Sequence, residues 1–184
     1  MLAAEFRHPN GDPIPFTLRD KRQTQDDPFD EHVARILKQR LPNQVRVFVS
    51  GKPLVSPDLV IAGHEEARFL MEGGTELDSR HIIGVEVKKL NWSRSKAVRS
   101  TGMDYNSTPP CSRIRVDAVT GAPLHIAAFY LYVILRPQAE RFVVDSLALV
   151  SGALLNEDTQ LYDAVTGVRK KSAGAGGSNL AGAR

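Results

Sequence analysis

The residues of this chain with the clearest capacity for chemistry lie in and near a short apolar run, Ile82 to Lys89, of sequence IIGVEVKK. Successive side chains of a β-strand point to opposite faces, so the two valines would face a core while Glu86 and Lys88 share the other face. That arrangement sets an acid and an amine roughly 7 Å apart along the strand. A second carboxylate, Asp58, stands at the head of an earlier apolar run.

Two carboxylates and an ammonium group in this order are suited to hydrolysis of a phosphodiester. The reaction needs an activated water and neutralisation of the phosphate charge, and Mg²⁺ can provide both. Because Mg²⁺ takes one or two protein carboxylates and keeps several waters, we expect Asp58 and Glu86 as its ligands, with the Val87 carbonyl as a third oxygen. Lys88 would hold the attacking water and stabilise developing negative charge. The alternative is that Glu86 and Lys88 form only a solvated cross-strand face.

The order and spacing of these residues resemble the PD-(D/E)xK nuclease superfamily. The matching residues are Pro57-Asp58, a gap of 27 residues, and then Glu86-Val87-Lys88. The resemblance covers about residues 27 to 150 and is strongest to type II restriction endonucleases. It implies Mg²⁺-dependent, sequence-specific cleavage of double-stranded DNA, with Asp58, Glu86 and Lys88 as the catalytic residues. A repair or recombination nuclease of the same superfamily and a non-catalytic DNA-binding domain are the alternatives.

The resemblance also implies an accessory acid and a dimer. Many members carry an acidic residue on the helix before the first strand, where this chain has Asp30 and Glu31. We favour Asp30, because it lies nearer the edge of the apolar stripe; compensation of the helix dipole is the alternative for either acid. Palindromic sites and double-strand cuts favour a two-fold symmetric homodimer.

Positive charge is concentrated beside the proposed catalytic strand. Residues 84–115 carry seven basic and two acidic residues, a net +5, in a chain whose net charge is +3. Phosphate contacts need basic and hydroxyl groups, and base reading needs bidentate side chains. The expected DNA contacts are Lys89, Ser93, Arg94, Lys96, Arg99, Asp104, Asn106, Arg113 and Arg115. The segment Asp104 to Ser107 fits a structural turn equally well.

Hydrophobic spacing predicts the elements that would position these residues. A helix should begin at Asp27-Pro28 and end before Pro42, because its apolar residues recur at helical spacing. Alternation predicts strands over 45–49 and 57–61. Residues 62–81 are acidic around a short apolar patch, and we interpret them as an acidic hairpin or excursion that leads into the catalytic strand.

The second half of the chain is rich in strand signals. A short helix is predicted over Ser93 to Arg99, a strand over Arg113 to Val116 and a turn at Thr120-Gly121. Two apolar runs, 125–135 and 142–155, are core strands, or the second is a strand that continues into a helix. The element order therefore predicts an α/β fold in a single domain. The resemblance implies a restriction-endonuclease-like mixed β-sheet flanked by helices.

Composition sets the domain organisation and the expected compartment. We expect an irregular N-terminal arm over 1–26, which wraps DNA or a partner or is only loosely ordered. A nuclease domain would follow over 27–168, and a flexible Gly/Ala/Ser-rich tail over 169–184. The single cysteine excludes an intrachain disulfide and favours a reducing compartment. No apolar run is long enough to span a bilayer, so we expect no membrane partner. The resemblance to type II restriction endonucleases implies a cytoplasmic prokaryotic enzyme.

Overall fold

The computed structural model describes residues 2–17, 28–49, 57–72, 81–92, 98–100, 110–121 and 123–155. Within these residues the chain forms a 3₁₀ helix followed by three α-helices and seven β-strands. The elements in chain order are the 3₁₀ helix (Leu2–Phe6), α1 (Pro28–Arg40), β1 (Val45–Val49), β2 (Leu59–Gly63), α2 (His64–Glu72), β3 (Ile82–Trp92), β4 (Val98–Ser100), β5 (Arg113–Asp117), β6 (Pro123–Gln138), β7 (Arg141–Ser151) and α3 (Gly152–Leu155).

All seven strands belong to one mixed sheet in the order β1-β2-β3-β6-β5, with β4 paired to β3 and β7 paired to β6. Strand β3 is central, because it pairs antiparallel with β2 and parallel with β6. The predicted mixed α/β fold, a single sheet with flanking helices, is confirmed. The strand that carries Glu86 and Lys88 is therefore held by neighbours on both sides.

The two faces of the sheet bury different helices, as the period-2 alternation requires. On one face Phe29, Val33 and Ile36 of α1 pack against β-strand residues that include Val85 and Val87. On the other face Ala67 and Leu70 of α2 pack against a second set of strand residues, among them Val60, Ala62, Ile82 and Ile126. The predicted assignment of the two valines to a core face is confirmed.

Several predicted elements agree with the structure. Helix α1 spans Pro28–Arg40 with acidic residues in its first turn and basic residues in its last, which suits the helix dipole. Strands β1 and β5 lie where alternation predicts them. Gly121 has a φ of +87°, as the predicted turn requires. The run from 142 is a strand that continues into the short helix α3, which was one of the two alternatives.

Two predictions were wrong. Of the alternatives for 62–81, the acidic hairpin is wrong, since His64–Glu72 form the helix α2, in which Ala67 and Leu70 lie one helical turn apart and are both buried; residues 73–80 lie outside the described residues. Residues Val98–Ser100 form β4 and not the end of a helix, since they pair with Leu90 to Trp92 of β3. Residues 93–97 of that predicted helix lie outside the described residues.

The N-terminal segment, expected to be irregular, contributes to the core on the α1 face. Phe6 is 2% exposed and stacks on Phe29 with ring centroids 5.4 Å apart. Phe16 also contacts Phe29 and exchanges backbone hydrogen bonds with Phe142 of β7. The tail over 169–184 lies outside the described residues. None of the described helices is long and apolar enough to cross a membrane.

Candidate functional site

The antiparallel pairing of β2 with β3 brings Asp58 next to Glu86. Leu59 is paired with Val85, so the residue before Leu59 stands beside the residue after Val85. The backbone N–H of Val87 donates a hydrogen bond of 2.7 Å to Oδ2 of Asp58. The strand that carries Glu86 therefore also fixes the carboxylate of Asp58, across 29 residues of sequence.

Glu86 is the buried acid of this site. It is 7% exposed and is the single charged residue in the buried class among the residues that the structure describes. Lys88 Nζ lies 2.8 Å from Glu86 Oε1, and its side chain is also mostly buried. Burial of a carboxylate is costly unless it is paired, so this geometry argues against a solvated cross-strand face.

The carboxylate of Asp58 is buried near two other negative charges. The pKa of Asp58 is raised well above its ordinary value, first by burial and then by the negative charges of Glu86 and Asp30. The hydrogen bond from the Val87 N–H and the charge of Lys88 oppose the shift in pKa and do not cancel it. A cation bound between these oxygens would relieve the repulsion.

Of the two acids on α1, Asp30 is the one whose charge acts on Asp58. Asp30 Oδ1 is buried and lies 3.1 Å from Lys89 Nζ on β3. Glu31, one residue further along the helix, is exposed. The contact of Asp30 with a strand residue is more than compensation of the helix dipole requires.

Tyr130 and Cys111 are hydrogen-bonded residues beside Glu86 that the sequence analysis did not identify. In the parallel pairing of β3 with β6, Tyr130 is the partner of Glu86. The Tyr130 hydroxyl accepts a hydrogen bond of 2.9 Å from the Cys111 backbone N–H and lies 3.3 Å from Cys111 Sγ. Burial is the main cause that raises the pKa of the phenol and of the thiol, so both stay neutral at physiological pH. The paired Glu86 and Tyr130 become visible only once the strand register is known.

Three of the expected DNA contacts, Lys89, Arg113 and Arg115, make contacts within the protein. Lys89 faces α1, where its Nζ lies 5.6 Å from the centre of the Phe29 ring. Arg113 and Arg115 alternate with the buried Ile114, so they lie on the sheet face opposite Glu86. Arg113 donates to the His125 carbonyl and Arg115 pairs with Asp117.

The remaining expected contacts are not tested by the geometry. Arg99 lies in β4, and its backbone pairs with Asn91 of β3. The residues that lie outside the described part of the chain are Ser93, Arg94, Lys96, Asp104 and Asn106. Their assignment as DNA contacts stays a prediction.

The donor set of the cluster suits a hard divalent cation. Asp58, which directly precedes β2, and Glu86 on β3 offer carboxylate oxygens, and burial together with neighbouring negative charge raises the pKa of Asp58. Among the described residues, no three His, Cys, Asp or Glu side chains are grouped as a ready metal site. The proposed set differs from such a group because one of its three oxygens is the Val87 backbone carbonyl.

No family model matches this chain, and neither the curated proteins nor the solved structures give a match to it.

Proposed function

We propose that this protein is a Mg²⁺-dependent endodeoxyribonuclease of the PD-(D/E)xK superfamily that cuts double-stranded DNA at specific sequences, in the manner of a type II restriction enzyme. The observation that carries the proposal is the buried carboxylate of Glu86, with Lys88 Nζ 2.8 Å away and Asp58 held on the neighbouring strand. A fold does not need a charged pair at such a place, whereas hydrolysis of a phosphodiester does.

The role of each residue follows from its position. Asp58 and Glu86 would hold Mg²⁺, together with the Val87 carbonyl oxygen. A bound Mg²⁺ supplies an acidified water and neutralises charge on the phosphate. The ammonium group of Lys88, held beside Glu86, would orient the attacking water and stabilise the negative charge that develops on the phosphate.

The proposal includes the partners of the enzyme. Double-stranded DNA is the substrate, and basic residues of the segment that follows β3, including Arg94 and Lys96, would attract its phosphates. A homodimer would place two such sites on the two strands of a palindrome. We infer the cytoplasm of a prokaryote as the compartment, in keeping with the single free cysteine.

Cleavage of supercoiled plasmid is the direct test. Wild type with Mg²⁺ should give discrete linear fragments, and EDTA should stop the reaction. Asp58→Asn, Glu86→Gln and Lys88→Met should each lower the cleavage rate by about 100-fold or more, because each removes a charge from the reacting centre. Glu65→Gln is a matched control, since Glu65 is an exposed acid of α2 that pairs only loosely with Arg68 at 3.2 Å.

The outcomes separate the proposal from its alternatives. If the wild-type protein cuts and the three variants cut equally well, the assignment of Asp58, Glu86 and Lys88 as the catalytic residues is wrong. Cleavage of branched or damaged DNA, with plain duplex left intact, would favour a repair or recombination nuclease. Binding of DNA without cleavage under any divalent cation would favour a non-catalytic DNA-binding domain.

A further inference from the structure

Lys89 is a basic residue whose neighbours do not fit a DNA contact. It follows Lys88 directly, but the alternation of the strand turns it to the face of Val87, where α1 packs. Its side chain is 13% exposed, and Nζ lies 3.1 Å from Oδ1 of Asp30. The same Nζ lies 5.6 Å from the centre of the Phe29 ring. Both contacts are with the first turn of α1.

Asp30 in turn acts through its charge on Asp58, one of the proposed metal ligands. Its Oδ1 is buried, so its charge is poorly screened by water. That charge is one of those that Asp58 experiences. The ion pair with Lys89 therefore connects the N-terminal turn of the helix to the strand that carries Glu86.

We propose that Lys89 is a positioning residue that sets Asp30 against the Asp58–Glu86 pair and does not bind DNA. This inference rests on the proposed function for the meaning of the Asp58–Glu86 pair, but the ion pair itself does not. Removal of Lys89 would take a counter-charge away from a buried carboxylate, and Asp30 would shift from its place. The two consecutive lysines thus have different roles. Lys88 acts at the reacting centre beside Glu86, and Lys89 positions the first turn of α1.

A double-mutant cycle in thermal unfolding tests the ion pair. Lys89→Met keeps the length of the side chain and its contact with Phe29 but removes the charge. Lys89→Met should lower the melting temperature, and Lys89→Met combined with Asp30→Asn should restore part of the loss, because the double variant removes both charges of the ion pair. The matched control is Lys38→Gln, an exposed residue in the last turn of α1, whose effect should add to that of Asp30→Asn. Strict additivity for Lys89 and Asp30 would overturn the proposal.

Cleavage kinetics and DNA binding separate positioning from DNA contact. With Lys89→Met, kcat should fall by about 10-fold or more while KM stays unchanged, because misplacement of a group near the reacting centre acts on the chemical step. Lys89→Arg should recover part of kcat, since it keeps the charge. DNA binding in EDTA should show the same salt dependence for Lys89→Met as for wild type; a shallower slope would identify Lys89 as a phosphate contact and sink the proposal.

The two proposals fail in different ways. If the wild-type protein cuts no DNA, the proposed nuclease function is lost, while the unfolding cycle still decides the Lys89–Asp30 pair. If the wild-type protein cuts and Lys89→Met changes neither kcat nor the coupling with Asp30, only the positioning role is lost.

Discussion

The native fold disfavours the charged form of the Asp58 carboxyl group. Burial and the charges of Glu86 and Asp30 raise its pKa, although Val87 N–H and Lys88 partly offset them. The folded protein therefore holds the Asp58 proton more tightly than the unfolded chain does. Between the ordinary carboxyl pKa and the raised one, the native state binds more protons, so this group makes stability fall as pH rises through that window.

We predict that Asp58→Asn stabilises the protein at neutral pH in EDTA. The amide keeps an oxygen for the Val87 N–H and removes the charge that the site disfavours. The gain should be on the order of 1 kcal/mol, which corresponds to roughly 2–4 °C in melting temperature for a chain of this length. The measurement is the free energy of unfolding of variant and wild type from pH 3 to pH 8.

The pH dependence checks the cause of that gain. The advantage of Asp58→Asn should shrink toward acid pH, where wild-type Asp58 is protonated and uncharged in both states. Glu65→Gln, at an exposed acid, should follow the wild-type curve. An Asp58→Asn variant that is less stable than wild type at pH 7.5, or whose advantage persists unchanged at pH 3, would contradict this account.

At the scale of elements, the sequence predicted the helices and strands whose own hydrophobic spacing is regular. Helix α1 has a long apolar stripe, and β1 alternates cleanly, so both were predictable. Helix α2 was missed because it buries only Ala67 and Leu70, a stripe too narrow to separate from a hairpin. Strand β4 was missed because its pairing with the end of β3 is a tertiary contact.

The site was predictable only in part, for the same reason. The residue types and order of Asp58, Glu86 and Lys88 are visible in sequence. The burial of Glu86 is not, since it depends on which residues of β6 lie beside β3. The pairing of Lys89 with Asp30 joins residues from a strand and a distant helix, so no local spacing indicates it.

Helix α3 approaches the backbone of Cys111 and Ala128 closely, and a glycine permits this approach. A Cβ atom on Gly152 would overlap the backbone carbonyl oxygen of Cys111 and come within 3.0 Å of the Ala128 carbonyl oxygen. We predict that Gly152→Ala costs about 1–3 kcal/mol in the free energy of unfolding, because backbone atoms must shift to admit the methyl group.

Urea unfolding measures the effect of Gly152→Ala. Ala153→Ser, at an exposed position of the same short helix, is the control and should change stability little. Gly152→Ala should also cut DNA more slowly if the backbone shift reaches Tyr130 through Cys111, because the Cys111 N–H and Sγ both contact the Tyr130 hydroxyl. A Gly152→Ala protein as stable as wild type would show that the close approach of α3 to Cys111 is not maintained in solution.

At the scale of the whole molecule, the +5 segment does not act as one surface. Arg113 and Arg115 lie on the face of the sheet opposite Glu86, and both make contacts within the protein. Lys89 is engaged with α1. If Glu86 and Lys88 face bound DNA, the expected contacts still compatible with that face are those in the segment that follows β3, including Arg94 and Lys96.

We therefore predict that the basic residues divide into two classes in the salt dependence of DNA binding. Each phosphate contact contributes about 0.9 to the slope of log affinity against log salt, because it releases counterions from the duplex. Arg94→Gln and Lys96→Gln should each lower the slope by about that amount, whereas Arg113→Gln and Arg115→Gln should leave it unchanged. The measurement is fluorescence anisotropy of a labelled duplex in EDTA, so that no cleavage intervenes. Equal losses of slope from all four variants would mean that DNA wraps both faces of the sheet, and losses from Arg113 and Arg115 alone would place the DNA on the face opposite Glu86.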